Sequence, residues 1–178
     1  MKGNIIVGQS GGPTAAINSS LAGVYRTAID RGAKKVYGMR HGIQGLLNED
    51  YIDLSEHIQT DLDVELLKRT PAAYLGSCRY KLPEIHEDIA TYDKIFSILD
   101  KLEIECFIYI GGNDSMDTIK KLQGRSRENV LQVKISAATA KCQDVISGSS
   151  AGSDAKKKSL WKKFLKSLPF QPGCMTES

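Results

Sequence analysis

Nowhere in the 178-residue sequence does an apolar run approach the roughly 18 residues of a membrane-spanning helix, so no segment reads as a span. The start, Met1-Lys2-Gly3-Asn4-Ile5-Ile6-Val7, holds an apolar stretch too short for a signal peptide. The four cysteines (Cys78, Cys106, Cys142, Cys174) form no C-x-x-C pair. They are expected to be free thiols of a cytoplasmic protein, because no secretory signal precedes them. His41, His57 and His86 lack metal-ligand spacing, so solvated or core placements are the default. No pattern of interleaved basic and aromatic residues suggests a nucleic-acid partner. What is present is ordinary for a soluble globular protein: 41% hydrophobic and 25% charged residues, in a chain long enough to bury a core.

Charge is unevenly spread. Residues 1–122 carry 14 Lys/Arg against 17 Asp/Glu, a net of −3, whereas residues 123–178 carry 10 against 4, a net of +6. The first region alternates strand-like and helix-like segments. A strand is expected over 4–7, a helix over 14–31 closed by Gly32, and a second strand over 35–39. Gly42 and Gly45 suggest a loop. Residues 54–67 mix a short strand with a helix, and Tyr74-Leu75 reads as a strand end entering a Gly-Ser turn. An amphipathic helix follows over 89–102, then a strand over 106–110 and a helical stretch over 118–122. Such alternation predicts an α/β fold, a three-layer parallel sheet with helices on both faces. Ligands of such sheets sit beyond the carboxyl ends of the strands.

Three Gly-containing loops would lie there. In Gln9-Ser10-Gly11-Gly12-Pro13-Thr14, Gly11 and Gly12 expose backbone N–H groups and Pro13 suits a helix start; a phosphate cradle and a plain tight turn both fit. In Gly111-Gly112-Asn113-Asp114-Ser115-Met116-Asp117-Thr118, Asn113 and Asp114 offer oxygen ligands suited to Mg²⁺, while Asp114 or Ser115 equally suits a helix cap. Beyond Gly76-Ser77, Arg79 offers a bidentate cation for phosphate oxygens, with Lys81 nearby.

Together these stretches resemble the N-terminal part of the phosphofructokinase family, in particular its pyrophosphate-dependent branch. The likeness rests on 9–18, on Tyr74-Leu75-Gly76-Ser77-Cys78-Arg79-Tyr80-Lys81-Leu82 and on 111–118, in the family's order. It implies donor binding by Gly11, Gly12, Arg79, Tyr80, Gly112, Asn113, Asp114 and Ser115, with Mg²⁺ held at Asn113. Asp114 occupies the position that separates donors in the family, so it is implied to select pyrophosphate over ATP and to support transfer. A carboxylate there repels the α-phosphate of ATP and fills its room. The implied reaction is Mg²⁺-dependent phosphoryl transfer to fructose 6-phosphate in glycolysis, giving fructose 1,6-bisphosphate, by a homo-oligomer.

The likeness stops near Leu122. The family's Pro-Lys-Thr-Ile-Asp-Asn-Asp segment, bearing the base and part of the acceptor site, has no counterpart in 123–178. A frame change, an internal deletion or a short homologue accounts for this. The expectation is a donor-binding lobe over 1–122 that is inactive alone, followed by a divergent basic tail. That tail reads as a polar break at 124–127, a strand or helix start at 130–140, a linker over 147–153 and an amphipathic helix over 156–168. The alternative is a non-catalytic phosphate- or nucleotide-binding module, or a regulatory partner.

Overall fold

The computed structural model describes residues 3–12, 14, 16–128 and 134–139. All lie in one compact unit, Met1–Ala140; a second unit, Lys141–Ser178, holds the expected linker and basic helix, which fall outside the described residues. In chain order the elements are β1 (Asn4–Gln9), α1 (Ile17–Asp30), β2 (Val36–Met39), α2 (Gly42–Leu47), β3 (Tyr51–Asp53), α3 (Leu54–His57), α4 (Asp61–Arg69), α5 (Ile89–Lys101), β4 (Ile104–Gly111), α6 (Asn113–Glu128) and β5 (Lys134–Thr139).

The apolar run Ile5-Ile6-Val7 makes β1 a strand buried on both faces, as a central parallel strand must be. The five-stranded sheet has the order β3-β2-β1-β4-β5. Pairing is parallel from β2 through β5, and β3 runs antiparallel to β2 at one edge. Alternation along β1 sends Ile6 to one face and Ile5 and Val7 to the other. Ile6 joins Phe107 and Tyr109 of β4 and Ile135 of β5 in a core closed by α2, α5 and α6. On the opposite face α1 packs against β1, β2 and β4, and α4 packs against α1. Ile17, Leu21, Val24, Tyr25 and Ala28 form the buried stripe of α1. Gly32 follows its end with φ +74°, donating its N–H to Ile29 O at 2.9 Å. The α/β architecture with helices on both faces is as expected, but the sheet is mixed rather than parallel throughout, because the short β3 folds back against β2.

Several local expectations are overturned. Gly42 and Gly45 do not mark a loop; they lie in α2. A Cβ on Gly45 would stand 1.5 Å from Arg40 O, and one on Gly42 would stand 2.4 Å from Tyr109 Oη. Both glycines thus answer close packing of a helix. Tyr74-Leu75 is not a strand end. Residues 70–88 contain no helix or strand, and the backbone groups of Thr70, Ala72, Tyr74 and Leu75 bond to side chains instead of a ladder. Helix α6 starts at Asn113 rather than near 118, and it runs through the expected break at 124–127 to Glu128. Part of the 130–140 stretch, Lys134–Thr139, is a strand paired to β4. The lobe therefore continues past Leu122, and the compact unit ends at Ala140.

Candidate active site

The order of strands locates a crevice before any residue is named. From β1 the chain moves outward to β2 on one side, then returns to place β4 on the other. In such sheets ligands bind outside the carboxyl ends of the two strands that flank this reversal. The loops that leave β1 and β4 are the first and third Gly-containing loops, at Gly11-Gly12 and Gly112-Asn113.

The two loops are joined directly. Gln9 lies level with Ile110, and Ser10 donates its N–H to Ile110 O at 2.8 Å. Gly11 has φ +86°, and a Cβ there would come within 3.5 Å of Gly112 N. The first turn of α6 and Ser10, just past β1, both close on Gly111 at the end of β4. A Cβ on Gly111 would meet Ser115 Oγ at 2.0 Å and Ser10 O at 2.7 Å. Gly12 and Gly112 differ from Gly111: a Cβ on either meets nothing within 4 Å. Their exposed backbone borders open space, where a ligand has room.

The middle loop, 70–79, is laid onto the same place. Ser77 Oγ donates to Gly11 O at 2.6 Å, and Ser10 Oγ donates to Cys78 O at 3.3 Å. Arg79 comes next in the chain, exposed, with no ion pair or hydrogen bond among the described residues. Tyr80 is half-buried against the core, and Lys81 is exposed. On the far side of the loop, Lys121 of α6 donates to Leu82 O at 2.9 Å and pairs with Glu84 at 3.0 Å and Asp117 at 2.9 Å. The Asp117 and Glu84 carboxylates raise its pKa and hold it charged.

Beneath the crevice, Tyr109 Oη accepts the Ile43 N–H at 3.3 Å and lies 3.8 Å from Cys78 Sγ. Burial pushes this phenol well above its ordinary pKa, so it stays a neutral hydroxyl under the loops. At the start of α6, Asn113 and Asp114 are exposed, and Ser115 is 1% exposed with no hydrogen-bond partner for its hydroxyl among the described residues. The helix therefore opens with free N–H groups, an unsatisfied hydroxyl and two oxygen-bearing side chains at its positive end.

Of the expected donor residues, Gly11 and Gly112 are directly apposed, and Ser115 packs against the neighbouring Gly111. Gly12, Asn113 and Asp114 adjoin them in the chain, and Arg79 follows the Ser77-Cys78 contact. Pro13 lies outside the described residues. Sequence reasoning assigned nothing to Ser10, Ser77 or Tyr109, which stitch the loops together. Ser10 and Ser77 each stand next to a glycine of the loops named above, which is the sequence signal that could have found them; nothing in the local sequence marks Tyr109.

A family model, Phosphofructokinase, matches residues 4–147. The chain belongs to the phosphofructokinase family. It is 41% identical over 120 residues to the pyrophosphate–fructose 6-phosphate 1-phosphotransferase of Rhodospirillum rubrum, covering 67% of this chain and 28% of that protein. To the ATP-dependent 6-phosphofructokinase of Aliivibrio salmonicida it is 34% identical over 113 residues, covering 64% of this chain and 32% of that protein. Among solved structures, the pyrophosphate-dependent phosphofructokinase of Nitrosospira multiformis superposes with a TM-score of 0.68 at 34% identity, covering 75% of this chain and 32% of that one. The chain spans less than a third of the length of these relatives. The phosphofructokinase match extends beyond Leu122, in keeping with β5 as part of the lobe.

Proposed function

We propose that this phosphofructokinase lobe binds the phosphoryl donor, pyrophosphate, at the crevice between β1 and β4. The observation that carries the reading is the convergence of Gly11, Ser77 and Gly112 on the N-terminal end of α6. Backbone N–H groups at a helix start suit a phosphate, and Arg79 adds a bidentate cation at the edge of the same loop. Gly12 and Gly112 leave room for the ligand, and Tyr80 borders the loop. Ser115 keeps unused hydrogen-bonding capacity behind it.

The residues present fit Mg²⁺. Asn113 and Asp114 supply hard oxygen atoms, and no cluster of three His, Cys, Asp or Glu exists among the described residues. Mg²⁺ usually takes one or two protein ligands and completes its shell with phosphate oxygens and water. Asn113 would hold the ion, which would supply charge neutralisation of the donor phosphates. Asp114 selects the donor. Its carboxylate stands in the first turn of α6 and repels any further phosphate beyond the pair held by the cradle. Pyrophosphate has none, whereas ATP brings its α-phosphate there.

In the whole protein the activity is phosphoryl transfer to fructose 6-phosphate, as the name of the Rhodospirillum rubrum relative states for that protein. Within these 178 residues no segment resembles the base-bearing segment of the family. We therefore expect donor binding without turnover. Calorimetry with Mg-pyrophosphate and Mg-ATP tests the donor. Tighter binding of pyrophosphate is expected, and Asp114→Gly is expected to gain ATP binding. An unchanged preference in Asp114→Gly removes the donor assignment. An assay with pyrophosphate, Mg²⁺ and fructose 6-phosphate is expected to give no product; robust formation of fructose 1,6-bisphosphate refutes the second expectation. Absence of binding to either donor overturns the reading of the crevice itself.

A further inference from the structure

Two buried amides join β1 and α1 to the loop that carries Arg79. Gln9 is fully buried and Asn18 is 1% exposed. Gln9 Nε2 donates to Ile17 O at 3.2 Å and to Asn18 Oδ1 at 3.0 Å, while its Oε1 accepts the Leu75 N–H at 2.9 Å. Asn18 Nδ2 donates to Thr70 O and Ala72 O, both at 2.8 Å, and its Oδ1 also accepts the Tyr74 N–H at 2.9 Å. Both N–H groups and both lone pairs of the Asn18 amide are thus in use. Residues 70–79 have neither helix nor strand. Thr70, Ala72, Tyr74 and Leu75 receive from these two side chains the partners that a sheet ladder would otherwise provide.

After Leu75, hydrogen bonds from Ser77 Oγ to Gly11 O and from Ser10 Oγ to Cys78 O lead directly to Arg79. Where the guanidinium can reach is therefore set upstream, by the anchoring of 70–75. We propose that Gln9 and Asn18 are positioning residues for Arg79: they do not contact the donor, yet they fix the place from which Arg79 meets it. The proposal rests on the donor site argued above. Asn18→Asp is its sharpest probe, because the shape is nearly kept while Thr70 O and Ala72 O lose their donors and face a carboxylate.

The test uses the 178-residue chain and its Asn18→Asp, Arg79→Ala and double variants. Mg-pyrophosphate affinity is read by calorimetry and amide hydrogen exchange by mass spectrometry. Asn18→Asp is expected to weaken binding on the order of tenfold, since small displacements of a positioning group carry large effects. In the Arg79→Ala background it is expected to cost nothing further, because its effect passes through the arginine. Amides of 73–79 should exchange faster in Asn18→Asp, with those of β4 and α5 unchanged. Gln9→Glu, which keeps the acceptor for Leu75 but loses the donor to Asn18, should behave alike and serves if Asn18→Asp does not fold. A full Asn18→Asp penalty that persists without Arg79 overturns the proposal. So does unchanged binding, or a rise in exchange shared by β4 and α5. If the unaltered chain does not bind pyrophosphate, the donor reading fails. The exchange pattern then still decides whether Gln9 and Asn18 fix the Arg79 loop: a rise confined to 73–79 upholds that anchoring, and any other pattern overturns it.

Discussion

At the residue scale, Gly111 and Gly112 are chain neighbours with opposite surroundings. A methyl on Gly111 would meet Ser115 Oγ at 2.0 Å and Ser10 O at 2.7 Å, whereas one on Gly112 meets nothing within 4 Å. Gly111→Ala must displace Ser115 and the Ser10 backbone from the end of β4 and is expected to lower stability by about 1–3 kcal/mol, as other overpacked sites do. Gly112→Ala is expected to change stability by less than about 0.5 kcal/mol, yet to weaken pyrophosphate binding, because the methyl enters the open space proposed for the donor. Urea denaturation and calorimetry on the pair check both. Equal stability losses in the two variants would contradict the geometry. The sequence shows two equivalent glycines here. Which one serves packing and which one serves the crevice depends on distances to Ser10 and Ser115, residues from different elements.

At the scale of elements, helix starts tie stability to pH. Asp88 caps α5, accepting from Thr91 N at 3.1 Å and from Thr91 Oγ1 at 2.6 Å. These bonds hold its carboxyl below its usual range, the hydroxyl contributing most. Asp63 is held low by the hydroxyl and backbone of Thr60 in the capping box that opens α4. Burial by itself would raise Asp53, but Lys35 and Ser55 outweigh it and leave that carboxyl low as well. All three bind protons less readily folded than unfolded. Their stabilisation is thus complete above the ordinary carboxylate pKa and is lost as pH falls below about 4. The urea midpoint is expected to drop between pH 7 and pH 3, and to drop less in Asp88→Asn, which caps without titrating. A pH slope identical in the two proteins would show that Asp88 does not contribute. The helix over 89–101 was readable from its periodicity because its apolar stripe faces a core. Helix α2 was not, since Gly42 and Gly45 are poor helix formers placed where Tyr109 and Arg40 leave no room for a side chain.

At the scale of the molecule, the position of β5 decides how large the lobe is. It pairs with β4 along Cys106–Gly111, and Ile135 enters the core beside Phe107 and Leu122. A chain ended after Leu122 would expose β4 as an open edge and leave part of α6 behind. Such a chain is expected to aggregate or to lose its cooperative urea transition, whereas one ended after Ala140 is expected to keep it. Cooperative unfolding of the shorter chain would place the boundary back at 122. The end of the family likeness near Leu122, where net charge also changes, suggested that earlier boundary, but charge reports surface composition, and a strand's place in a sheet is set by hydrogen bonding and by its apolar face. The sequence by itself determined the alternation of strands and helices, the three Gly-containing loops and the phosphofructokinase likeness, because each is written in local periodicity or in contiguous residues. Only the tertiary structure decided that the 70–79 loop has no strand of its own, that Gln9 and Asn18 hold it, and that Gly11, Ser77 and Gly112 share one crevice. These are partnerships between residues about 50 to 100 positions apart, set by parallel pairing and buried hydrogen bonds that local pattern does not encode.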